Sequence, residues 1–136
     1  MIFRKIVAGL TASAIMVLIY SAFSDFEIGI FYGMFLLPIV LIFGTLSSIY
    51  SDSLTKRLKG FKRMFMAFII HVFSGALLII ISKLLSEHDR DRFFLELSGL
   101  WNNFFFVSAV SSAFIFWFID ELIRSDKCKK ILNEEF

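Results

Sequence analysis

Four uninterrupted apolar runs set the terms on which this chain can fold. They are Ile6–Phe23, Ile28–Tyr50, Met64–Ser82 and Trp101–Ile119, of 18, 23, 19 and 19 residues, and none holds an Asp, Glu, Lys or Arg. As helices they measure roughly 27 to 35 Å at a rise of about 1.5 Å per residue. A bilayer's hydrocarbon core is about 30 Å thick, so each run is long enough to cross it. Every backbone amide in hydrocarbon must be bonded within the chain, which favours helix for such runs despite the β-branched Ile39, Val40, Ile79 and Ile80. Composition excludes the soluble alternative. Apolar residues make up 58% of 136 positions, with 19 phenylalanines, more than a soluble domain this small can bury. The expected fold is all-α, a single integral membrane bundle of four transmembrane helices.

The first run, preceded by Arg4 and Lys5, has the outline of a signal peptide. Its cleavage site is poor, because bulky Tyr20 stands two residues before Ala22 and the Ala12-Ser13-Ala14 triplet follows too short a core. A retained first span is therefore expected. Orientation follows from basic residues. Arg4 and Lys5, the five of Lys56–Arg63, and Arg124, Lys127, Lys129 and Lys130 alternate with two connections holding only Lys83, Arg90 and Arg92, so eleven of the 14 fall on one side. The positive-inside rule places that side in the cytoplasm, with both termini, in a plasma membrane.

The connections are short. Ser24–Glu27 leaves room for a tight turn and an antiparallel hairpin. In the cytoplasmic loop 51–63, Leu54, Leu58, Phe61 and Phe65 recur at helical spacing among Lys56, Arg57, Lys59, Lys62 and Arg63. This fits a basic helix lying in the interface or a plain loop whose lysines snorkel, the reading Gly60 favours. The outer loop 83–100 contains Glu87-His88-Asp89-Arg90-Asp91-Arg92. Its ligand types match no metal spacing, and the arginines oppose a cation, so a self-neutralising solvated loop is expected. Phe94, Leu97 and Trp101 share a helical face suited to the outer interface. The tail 120–136 carries one cysteine, Cys128, which permits no intrachain disulfide and reads as a plain thiol.

Small residues predict how the spans pack. Gly29 and Gly33, then Gly44 and Ser48, stand four apart on the second span, with Gly33 and Gly44 nearly three turns apart on one face. Ala8, Gly9, Ala12 and Ser13 line the first span; Ser108, Ala109, Ser112 and Ala113 line the fourth; Ala67, His71, Ser74 and Gly75 line the third. Pro38 should kink the second span and free the carbonyl of Met34. His71 is the titratable group within the runs. It is expected to face the bundle as a neutral ring, either bonded structurally or handling protons or substrate.

In length, N-in arrangement and Phe/Ile/Lys-rich spans the whole chain resembles the small uncharacterised four-span membrane proteins of Gram-positive, Bacillus-type bacteria, a resemblance that implies no activity. Small multidrug transporters are of similar size, but their embedded glutamate has no counterpart in Ile6–Phe23. Quinone-linked thiol oxidases need paired cysteines, and membrane phosphotransferases need more acid than Asp120-Glu121. No catalytic, cofactor-binding or metal residue is expected, and no nucleic-acid partner. The expectation is a non-enzymatic membrane protein binding another membrane component as accessory subunit, immunity factor or regulator, with the bilayer and a protein partner or a second copy meeting its small-residue faces. The alternative is a small oligomeric transporter or pore using His71 and the serine faces.

Overall fold

The computed structural model describes residues 2–86, 92, 99 and 104–125. Residues 87–91 of the charged loop, Phe94, Leu97, Trp101 and Cys128 lie outside them. Four helices are present among the described residues: α1 (Ile2–Phe23), α2 (Phe26–Leu54), α3 (Gly60–Leu85) and α4 (Phe104–Arg124). Each is long and apolar enough to cross a membrane, with no strand among the described residues.

Neighbouring helices run antiparallel. The start of α1 meets the ends of α2 and α4, since Lys5 reaches Asp52 and Arg4 reaches Asp120. The start of α3 meets the end of α4 through Arg63 and Glu121. Ser24 and Asp25 alone separate α1 from α2, and the Gly29 amide donates to the Asp25 carbonyl at 3.1 Å to open the new helix.

All four helices depart from the bounds of the apolar runs, and two of them, α2 and α3, extend at both ends. The connection expected at 51–63 contracts to 55–59, because α2 continues to Leu54 and α3 already begins at Gly60. No separate interfacial helix forms there. Thr55 closes α2 by donating its amide to the Ser51 carbonyl at 2.9 Å. Gly60 then turns the chain at φ 59°, a left-handed conformation open to glycine but costly for residues with a Cβ. The apolar members of this stretch point outward, with Phe61 and Phe65 exposed and stacked at 6.2 Å. Helix α4 likewise runs five residues past Ile119. At the end where α1 and α3 begin, the extensions carry Arg4, Lys5, Asp52, Arg63, Asp120, Glu121 and Arg124, whose charges find partners across the bundle. Helix α2 passes through Pro38 as one continuous helix, with the proline ring on its exposed side.

Small residues bring the helices together. The buried stripe of α1 is Lys5, Ala8, Gly9, Ala12, Ser13 and Met16, spaced three or four apart as one helical face requires. Phe116 of α4 is the large side chain of the core and stands between two glycines. A Cβ on Gly9 would come within 3.3 Å of its ring, and one on Gly44 within 2.7 Å. The outside of the bundle is aliphatic and aromatic along its length, including Leu18, Phe31, Ile42, Phe73 and Phe118. Such a surface suits hydrocarbon, where helices gain from close backbone packing more than from hiding apolar side chains.

Candidate functional site

Two places bury polar chemistry. The first is the end of the bundle where α1 and α3 begin. Lys5, one turn before Ala8 and Gly9, is 0% exposed because the α1 stripe on which it lies is covered by α2 and α4. A buried ammonium is costly unless paired and hydrogen-bonded. Lys5 Nζ lies 2.7 Å from Asp52 Oδ2, donates to Ser48 Oγ, and stands 4.0 Å from Asp120. Ser48 passes the contact on, donating to Asp120 Oδ2 at 3.0 Å. Arg4 Nε donates to Asp120 Oδ1 at 2.7 Å and its Nη2 reaches Asp52 at 3.5 Å. Arg124 donates to the other Asp52 oxygen, and Arg63 takes Glu121 with both arms of its guanidinium. Four cations thus meet three carboxylates, and every helix contributes.

The second place is a cavity of about 160 Å³ between α2, α3 and α4. Helices α3 and α4 close one side of it tightly. A Cβ on Gly75 would fall 2.9 Å from the Ala109 carbonyl oxygen and the Ala113 methyl, so glycine sets how near the two backbones come. One turn earlier on α3, His71 lies against Phe116, ring centres 5.8 Å apart and nearly parallel at 24°. The opposite wall is α2, with Tyr32, Leu36, Val40 and Gly44. Phe35, Ile39, Phe43 and Phe105 form an exposed rim, so the cavity opens sideways from the bundle.

The polar groups of this wall are largely spent on their own helices. Ser74 donates to the Ile70 carbonyl, Ser108 to Phe104 and Ser112 to Ser108, each at 2.7 Å and each four residues back. Ser108 also accepts from Tyr20 of α1. His71 Nδ1 lies 2.8 Å from the Ala67 carbonyl oxygen. A carbonyl only accepts, so Nδ1 carries the proton, and in a neutral ring Nε2 is left with a lone pair. Nε2 is buried and has no partner, and His71 as a whole is 3% exposed. Among the described residues three other buried side-chain atoms lack a partner, Ser21 Oγ, Ser51 Oγ and Trp117 Nε1, and none of those residues borders the cavity.

The residues singled out in the sequence are therefore distributed. His71 and Gly44 line the cavity. Gly29 and Gly33 lie nearer the start of α2 against α1, where a Cβ on Gly29 would sit 2.9 Å from the Ser21 backbone nitrogen and one on Gly33 would strike Val17. Gly33 and Gly44 thus serve different neighbours. Pro38 belongs to neither place. The ion network was not anticipated, because its basic residues read as markers of orientation and Asp120-Glu121 as an isolated acidic pair. The signal that finds it is register. Lys5 continues the small-residue stripe of α1, Asp52 follows Ser48 by one turn, and Asp120 follows Phe116 by one turn.

No group of three or more His, Cys, Asp or Glu side chains is placed to hold a metal among the described residues. Compared with known proteins, the chain matches no family model, no curated protein and no solved structure.

Proposed function

We propose that this chain is a non-enzymatic integral membrane protein of the plasma membrane, both termini in the cytoplasm, that binds another membrane component. The observation that carries the reading is the side-opening cavity. It lies mid-bundle, its rim of phenylalanine and isoleucine is exposed where a bilayer would surround the helices, and its wall is almost wholly apolar. A molecule dissolved in the bilayer reaches such a site without passing through water. The glycines expected to offer faces to another protein are filled by the chain's own helices, so the bound component belongs in the cavity. The hydroxyls of Ser74, Ser108 and Ser112 donate to their own helices, which favours an apolar binding site over a polar transport path.

The test is extraction of the full chain in its native lipid with an amphipathic polymer, followed by mass spectrometry of what it retains. A membrane molecule enriched over bulk lipid, and lost when Leu36→Trp narrows the cavity, is the expected result. Retention of bulk lipid alone, with or without the substitution, would sink the reading. Orientation rests on the basic residues clustered at the ion-network end. Single cysteines at Ser53 and Ser86 in a Cys128→Ser background test it: an impermeant thiol reagent added to intact cells should label Ser86→Cys, and labelling of Ser53→Cys alone reverses the topology.

A further inference from the structure

We propose that the corner joining α2 to α3 binds the headgroups of anionic phospholipids, with Lys56, Arg57, Lys59 and Lys62 meeting their phosphates and Phe61 and Phe65 resting among their acyl chains. The site lies apart from the cavity and does not depend on it.

The first ground is charge. At the end of the bundle where α1 and α3 begin, the carboxylates among the described residues are Asp52, Asp120 and Glu121. All three are consumed within the bundle by Arg4, Lys5, Arg63 and Arg124. Lys56, Arg57, Lys59 and Lys62 are exposed, and none of them meets a carboxylate among the described residues. The network that neutralises Lys5 is thus what leaves this corner positive, because a carboxylate held inside cannot also serve the surface.

The second ground is the backbone. The Leu58 amide donates to the Thr55 carbonyl at 2.9 Å, closing a turn with Lys56 and Arg57 at its tip. Lys59 and Lys62 then flank the start of α3. A helix N-terminus is the positive end of the helix dipole, and acidic residues are the ones that suit it. The first turn of α3 has no acid, and Lys59 at the capping position makes no side-chain bond to the free amides. Lysines and amides of one sign therefore crowd together, and an anion relieves both. There is room for it to approach, since a Cβ on Gly60 would have no neighbour within 4 Å.

The third ground decides which anion. Phe61 is 72% exposed and Phe65 51%, one turn apart on α3 with their rings stacked. Cations interleaved with exposed aromatic rings suit the boundary between headgroups and acyl chains. The corner also stands at the ends of two helices long enough to cross a membrane. There a lysine stem can lie along apolar surface while its ammonium reaches the phosphates. A phosphatidylglycerol-type lipid keeps its phosphate charge uncompensated, whereas phosphatidylcholine cancels it with its own ammonium.

The full chain is purified in a neutral detergent, where orientation in the cell plays no part. It is titrated with phosphatidylglycerol or phosphatidylcholine of matched chains, and bound lipid is counted by native mass spectrometry. Phosphatidylglycerol should bind about tenfold or more tightly. The preference should vanish when Lys56, Arg57, Lys59 and Lys62 are all changed to Gln. Lys59→Gln with Lys62→Gln should remove part of it, and serves if the fourfold variant misfolds. Leu36→Trp, which narrows the cavity, should leave the preference as it was. Equal binding of the two lipids overturns the proposal, and so does a preference that survives the fourfold change, which would place the anionic lipid elsewhere. Equal affinity for glycerophosphoglycerol, which has the headgroup and no chains, makes the corner a site for soluble anions and overturns the lipid assignment. Loss of the preference in Leu36→Trp would move the site to the cavity and overturn it as well.

Discussion

Helix α2 has two unlike sides. Towards α1 it is closed by glycine, with Gly29 against the Ser21 backbone and Gly33 against Val17, and it is tied at its end by Asp52 to Lys5 and Arg124. Towards α3 it is held apart by a cavity whose wall contains a buried nitrogen with nothing to bond. Polar groups enter the bundle on both sides. On the first they are saturated by one another, which fixes the helices in a single register. On the second the chain leaves one acceptor open. The difference separates buried polar groups that saturate one another from one that the fold leaves without a partner.

The largest test of this contrast is Asp52→Leu. It removes the nearest carboxylate from Lys5, whose ammonium is shut from water, and one contact each from Arg124 and Arg4. Breaking a buried pair from one side costs about 3–5 kcal/mol. Thermal unfolding in detergent should show that loss, and adding Lys5→Met should recover much of it, since a methionine occupies the channel without a charge. Should Asp52→Leu melt like the parent, water reaches Lys5 and the end is not sealed.

Next in size is Gly33→Leu. Val17 is β-branched and stiff about χ1, so the leucine must push α1 and α2 apart, for about 1–3 kcal/mol. Gly29→Leu should cost more than Gly33→Leu, because it meets backbone that no side-chain rotation can move aside. An unchanged melting temperature for both would mean that α1 does not close this face of α2. The smallest effect is expected on the cavity side, at Ser74→Ala. That hydroxyl serves its own helix, and bonding back to the carbonyl four residues earlier adds little to a helix that is already bonded. The change should stay within about 0.5 kcal/mol, the range of substitutions that break no special feature. A loss several times larger would show that Ser74 does more than return its proton to Ile70.

Much of the architecture was legible because its signals are local. Runs of 18 to 23 uncharged residues require helices, and Ser24–Glu27 is too short for anything but a hairpin turn. Small residues at spacing of four indicated which faces would pack, and His71 was placed inside the bundle by its neighbours Ala67, Ser74 and Gly75. Which helix each face would meet was not legible. Gly33 and Gly44 look like one stripe on a helical wheel, yet eleven residues of α2 carry the first to α1 and the second to Phe116. How far the helices run beyond the apolar runs was not legible either, since apolar length measures what hydrocarbon demands and says nothing of turns stabilised by ion pairs beyond it. Lys5 and Asp120 belong to opposite ends of the sequence, and no local pattern reports that a salt bridge will form between elements 116 positions apart or nearly so.

The distance along the chain has its own consequence for how the bundle is made. Lys5 and Asp52 are both present once the first hairpin has been synthesised, so that pair can form early. Arg4 waits for Asp120, Arg63 waits for Glu121, and Asp52 receives its second cation only with Arg124. Helix α4, the last of these four to emerge, supplies two of the three carboxylates and one of the four cations. Until it docks, the nascent three-helix bundle carries a surplus of positive charge at one end, which the fourth helix discharges on arrival. Docking of α4 is thereby written into the bundle's electrostatics, and a product truncated before α4 differs in charge at that end of the molecule.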